Sequence, residues 1–121
     1  MNNLKLFREL SGAERTHLAK LINKTTHTYL YYESGRIQCP TVCGLMVAKI
    51  YDIDVYEIFC PEKEISSKTK EKLKSYAKMD ENERKKAFEF NLFESKEKKV
   101  SYRNIQKIKE AIINIYCFKK Q

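Results

Sequence analysis

The sequence predicts an all-α protein, and three observations carry the prediction. Apolar residues recur every three or four positions in short runs along the first sixty residues, the spacing that lines one face of a helix. Residue types that end helices stand between the runs: Gly12, Asn23 and the pair Ser34-Gly35. Beyond Pro61 the helical pattern lengthens, with no internal repeat and no Gly/Ser or Pro tract to suggest another class.

Leu4, Phe7, Arg8 and Leu10 open the first helix, and Gly12 ends it as an αL cap would. Leu18, Leu21 and Ile22 continue the period in a second helix. Neither helix could bury its stripe alone. Asn23 stands where the second helix must stop, and after Gly it is the residue that most readily enters the left-handed conformation of a sharp turn. Thr25 then caps a third helix with its hydroxyl, Thr28 to Glu33 carry it forward, and Ser34-Gly35 close it. After the loop "RIQCP", Thr41 is the expected N-cap of a fourth helix with Leu45, Val47, Ala48 and Ile50 as its apolar positions. "DIDVYEIF" adds a short fifth, capped by Asp54, with Val55, Ile58 and Phe59 directed inward. Three more helices are expected near Ser67 to Lys78, Glu81 to Phe93 and Tyr102 to Phe118. Asp80 and Glu83 stand in capping-box positions, and the linker "SKEKK" separates the last two helices.

Charge divides the chain near Pro61. Residues 1–61 carry 7 Lys/Arg against 6 Asp/Glu, a net of +1, and residues 62–121 carry 17 against 10, a net of +7, which together give the chain's +8. This predicts two functional parts: 1–61, and a basic helical extension, 62–121, for dimerisation or partner binding. In the extension Ile105, Ile108, Ile112 and Ile115 are spaced three, four and three apart, the start of an a/d seam too short for a long coiled coil. They are the expected dimerisation residues.

Other classes are argued against by what is missing. No run approaches the roughly 20 apolar residues of a membrane span, and "MNNLKLFREL" lacks the apolar core of a secretory signal, so a cytoplasmic location is expected. Cys39, Cys43, Cys60 and Cys117 are too few and too irregular for a disulfide framework, and Pro40 interrupts the closest pair. Reduced thiols, no metal and no cofactor are expected. There is no Gly-rich phosphate loop, no set of paired metal ligands and no nucleophile elbow, so an enzyme is not expected.

From Leu6 to Phe59 the chain resembles the phage-repressor (Cro/CI, or Xre) helix-turn-helix family. The resemblance rests on Gly12 ending helix 1, Leu18-Ala19, Tyr32-Glu33 with Gly35 closing helix 3, Pro40 in the loop and the terminal "AKIYDIDVYEIF". Departures fall at the turn, where Asn23 and Lys24 replace the usual Gly and an apolar or small residue; at Glu14-Arg15, where a Thr-Gln pair is usual; and at Tyr29, usually aliphatic. The resemblance implies that the first five helices form one helix-turn-helix domain, ahead of the extension of about three helices, in a sequence-specific transcriptional regulator of repressor type. It implies a homodimer that reads the major groove of double-stranded DNA with helix 3, residues 25–34. Carried over by position, Thr26, His27 and Tyr31 would read bases, and Thr28 and Leu30 would lie near the groove. Arg15, Lys24, Thr25, Arg36 and Gln38 would hold phosphates.

The rival reading is a protein-interaction module or regulatory adaptor that keeps the fold, with Leu30 and Tyr31 as an apolar patch. Salt separates the two, because phosphate binding weakens steeply as counterions compete.

Overall fold

Asparagine, glycine and threonine punctuate the backbone where the sequence places them. The computed structural model describes residues 2–94, which form helices α1 (Leu4–Ser11), α2 (Arg15–Leu21), α3 (Thr26–Ser34), α4 (Thr41–Tyr51), α5 (Tyr56–Phe59), α6 (Ser67–Ala77) and α7 (Glu81–Glu89). A 3-10 turn at Glu62–Glu64 precedes α6, and a π-helical turn at Phe90–Glu94 follows α7. There is no strand among the described residues. No helix among them is long and apolar enough to cross a membrane.

Gly12 closes α1 at φ 73°, its amide donating to Arg8 O. Asn23 turns the chain between α2 and α3 at φ 59°, and the next amide, Lys24 N, reaches back to Ala19 O at 2.9 Å. Thr25 accepts from Thr28 N at 3.1 Å and Gly35 ends α3 at φ 78°. Asp54 accepts from Tyr56 N at 2.9 Å, Ser66 from Thr69 N at 3.1 Å and Asp80 from Glu83 N at 2.8 Å. Each hydroxyl or carboxylate satisfies an amide that the first turn of its helix leaves without a partner.

Three local expectations are corrected. Thr41 is the first residue of α4 and not its cap; Pro40 holds the N-cap at φ −61°, ψ 146°, with no side-chain cap, since its ring already fixes the backbone in the flanking conformation. Phe59 is not turned fully inward: it is 36% exposed and lies across α4 at Gly44, where an added Cβ would sit 2.5 Å from the ring. The seventh helix keeps α geometry only to Glu89, and the wider π turn carries the chain through Phe93 while burying Leu92.

The core is not divided at Pro61. Leu4, Phe7, Leu18, Tyr29, Val47, Ile50 and Ile58 from the near-neutral half share one cluster with Leu73, Tyr76, Phe88 and Leu92 from the basic half. Tyr51, the last residue of α4, is fully buried at the meeting point. Phe7 and Phe88 set their rings edge-on to it at 6.3 Å and 5.4 Å, and Tyr76 and Phe88 pack at 5.0 Å. These are favoured aromatic geometries with large apolar areas.

Residues 72–91 also complete the end of α4, where backbone carbonyls need partners. Tyr76 donates its hydroxyl to Tyr51 O at 2.9 Å, and Asn91 donates to Ile50 O at 2.8 Å and to the Tyr76 hydroxyl at 3.0 Å. Lys72 reaches Asp52 O at 2.7 Å and its carboxylate at 2.5 Å, placing a cation at the negative end of the helix dipole. Arg84 donates to Tyr76 O and Met79 O behind α6, against Gly12. At the other end of the molecule Asn3 is buried and donates through its side chain to Glu57 O and Cys60 O, tying the start of α1 to α5. The second half thus anchors α1 and α4, and it also reaches α2, where the Phe88 ring stacks on His17 at 6.3 Å and the Glu89 carboxylate meets His17 Nε2 at 3.3 Å.

Candidate nucleic-acid interface

The helix α3 has a buried side and an outward side. Tyr29 and Tyr32 are buried, and Glu33 keeps only 2% of its side chain exposed. At 100° per residue the opposite side falls on His27, Leu30, Tyr31 and Ser34, flanked by Thr26 and Thr28. His27 and Leu30 are exposed, and Thr26, Thr28 and Tyr31 half-buried. The five residues expected at or near bases are therefore brought together on one helix with surface available.

Glu33 accounts for the electrostatics of this face. It is the only carboxylate within residues 26–34, and two guanidiniums hold it inside. Arg8 from α1 binds it in fork geometry, Nε to Oε2 at 2.6 Å and a second nitrogen to Oε1 at 3.2 Å, while Arg15 from α2 reaches Oε1 at 3.2 Å. The hydrogen bond from Arg8 to Glu33 is the main cause that raises the pKa of the Arg8 guanidinium above its ordinary value. Three helices are joined at one carboxylate, and no anion of α3 remains to repel phosphate.

The cations sit around the edge. Lys24, Thr25, Arg36 and Gln38 are exposed. Thr25 uses its hydroxyl twice within the helix start, on Thr28 N and, at 2.9 Å, on the Thr28 hydroxyl. Arg15 is half-buried and partly committed to Glu33. Arg36 is stacked over the Tyr31 ring at 5.1 Å, and His27 meets the same ring edge-on at 6.4 Å. Beyond Gly35 the Ile37 amide donates back to Tyr31 O at 3.3 Å, which folds the loop over the last turn and brings Arg36 above the ring. Sequence reasoning missed this stack and the part of Arg8; a Gly cap four residues after an aromatic was the available signal.

Tyr29 departs from the aliphatic residue expected there, and the core accommodates its ring completely. Its hydroxyl has no hydrogen-bond partner among the described residues, and burial pushes its pKa well up. Cys39, Cys43 and Cys60 are all buried free thiols, and burial raises Cys39 to about 12, where the nucleophilic thiolate is scarce at neutral pH. No group of three or more metal-ligating side chains is assembled among the described residues. Ile105, Ile108, Ile112 and Ile115, and the expected helix from Tyr102 to Phe118, lie outside the described residues.

Comparison with protein-family models, with curated proteins and with solved structures gave no match for this chain.

Proposed function

We propose that the chain is a sequence-specific DNA-binding transcriptional regulator, a repressor of the phage-repressor helix-turn-helix type, that lays α3 in the major groove. The observation that carries the reading is the outward face of α3: its one carboxylate is locked between Arg8 and Arg15, while Lys24, Arg36 and Gln38 border the face from either end. The sharp turn at Asn23 supports the same reading, because it sets α3 directly after α2, as the motif requires. The basic surplus of residues 62–121 adds sequence-independent attraction that a head of net +1 lacks. Major-groove readers of this type use two-fold symmetry, so a homodimer with half-sites about one helical turn apart is part of the proposal, with Ile105, Ile108, Ile112 and Ile115 as its seam.

A second reading, a protein-interaction module, is favoured by one observation: Leu30 is 39% and Ile37 45% exposed beside Tyr31. Selection of bound duplexes from a random pool, repeated across a salt series, decides between them. Enrichment of a palindrome whose affinity falls steeply between about 50 and 200 mM salt supports the repressor. Salt-insensitive or absent binding by the intact chain overturns it. Within the repressor reading, His27→Ala should cost about 1 to 3 kcal/mol at the preferred site and relax one base position. Lys24→Ala should instead weaken all sequences equally and make the salt slope shallower by about one contact per subunit.

A further inference from the structure

The side chains that specify bases most strongly by hydrogen bonding are Arg, Lys, Asn and Gln, and residues 26–34 contain none of them. The polar groups that α3 does carry are largely engaged already. The Thr28 hydroxyl is paired with that of Thr25, the Ser34 hydroxyl donates to Tyr31 O at 3.2 Å, and Glu33 is held inside. What the outward face offers is apolar: the Thr26 methyl, the Leu30 side chain and the Tyr31 ring, with the imidazole of His27 beside them. The Tyr31 ring is fixed from two sides, by the Arg36 guanidinium over its face and the His27 ring at its edge. A plate already held in place loses little conformational freedom when it is covered.

In the major groove only one standard base presents an apolar group, the C5 methyl of thymine. The cations around the face fit the phosphates on either side, so the occupant matches in charge as well as in polarity. We propose that this face selects thymine by its methyl group, so that the preferred half-site is A·T-rich and is read by Leu30, Tyr31 and Thr26 more than by hydrogen bonds. The inference rests on the DNA-binding reading above and names what that site recognises.

The test uses the full chain and the duplex it selects. Each thymine is replaced in turn by uracil, which deletes the methyl and leaves base pairing and every groove hydrogen-bonding group unchanged. At one or two positions per half-site affinity should fall about fourfold, the value of one buried methyl-sized group. Leu30→Ala, with an unchanged melting temperature expected for so exposed a residue, should abolish the thymine-over-uracil preference at one of those positions. His27→Ala should leave the preference in place. A preference that survives intact in both Leu30→Ala and Tyr31→Ala comes from DNA shape and overturns the contact. Salt-sensitive, sequence-selective binding that is indifferent to uracil everywhere overturns the thymine inference and leaves the regulator standing. Loss of all salt-sensitive duplex binding by the intact chain overturns both.

Discussion

Gly12 and Gly35 do the same conformational job in different surroundings, and the difference is measurable. Both hold φ values that L side chains rarely adopt, 73° and 78°. A Cβ at Gly35 would meet open space, so Gly35→Ala should cost only the strain of the left-handed backbone, about 1 kcal/mol. A Cβ at Gly12 would come within 3.3 Å of the Arg84 guanidinium, which is tethered to Tyr76 O and Met79 O. Gly12→Ala should therefore cost more, roughly 2 to 3 kcal/mol, with the excess removed in the Arg84→Ala background. Equal denaturation midpoints for the two alanine variants would show that Arg84 yields freely. These positions were legible in the sequence because Gly, Asn and Thr mark backbone conformation directly. The Arg36 stack was not legible, because it depends on how the loop after Gly35 folds back over Tyr31, and the surroundings of the Tyr29 hydroxyl were not, because other helices supply them.

At the scale of elements, two junctions hold the helices in register. The end of α4 depends on hydrogen bonds donated from the second half, so Tyr76→Phe should leave Tyr51 O without its partner and remove one acceptor of Asn91. A loss of about 1 to 3 kcal/mol is expected, read as a lower denaturant midpoint at an unchanged slope. The start of α6 depends on Glu57, whose carboxylate accepts from Ser66 N at 2.8 Å and from the Thr69 hydroxyl. Burial alone would push this carboxyl up, but the Thr69 and Ser66 hydrogen bonds outweigh it and hold the group below its ordinary 4.5. The folded chain thus keeps Glu57 ionised where the unfolded chain has begun to take up a proton. Its contribution is present in full above that ordinary value and is lost as pH falls through the depressed one. Glu57→Gln should flatten the decline of stability on acidification in that window; an unaltered acid limb would remove Glu57 from the account. The start of α7 was readable from Asp80, whereas Glu57 lies nine positions before Ser66 and gave no local signal.

Across the whole molecule, the change in charge near Pro61 marks a change of surface and not of interior. Tyr76, Phe88 and Leu92 sit among Lys and Glu residues that dominate the local pattern, so their place in the core was invisible to periodicity. The all-α class was legible because it needs only the spacing of apolar residues along each helix. The partnership between halves was not, because it is set by which stripe meets which. Residues 1–94 should therefore melt cooperatively, while residues 1–61 should lack a sharp transition, having lost the cover over Tyr51. Circular dichroism of the two truncations checks this, and a cooperative melt of the shorter one would show that its core closes without Tyr76 and Phe88.

The same shared interior sets a schedule for the newborn chain. Translation proceeds at about 5 to 20 residues per second, so a ribosome takes roughly 2 to 6 seconds to pass from Pro61 to Leu92. For that interval Tyr51 has been synthesised before the Phe88 ring that will pack edge-on against it exists. The helix that carries His27 and Tyr31 is thus made early, but the frame that holds α1 and α4 steady is finished only once Leu92 has been added. The outward face of α3 would therefore gain its steady frame only after the turn that buries Leu92 has been synthesised.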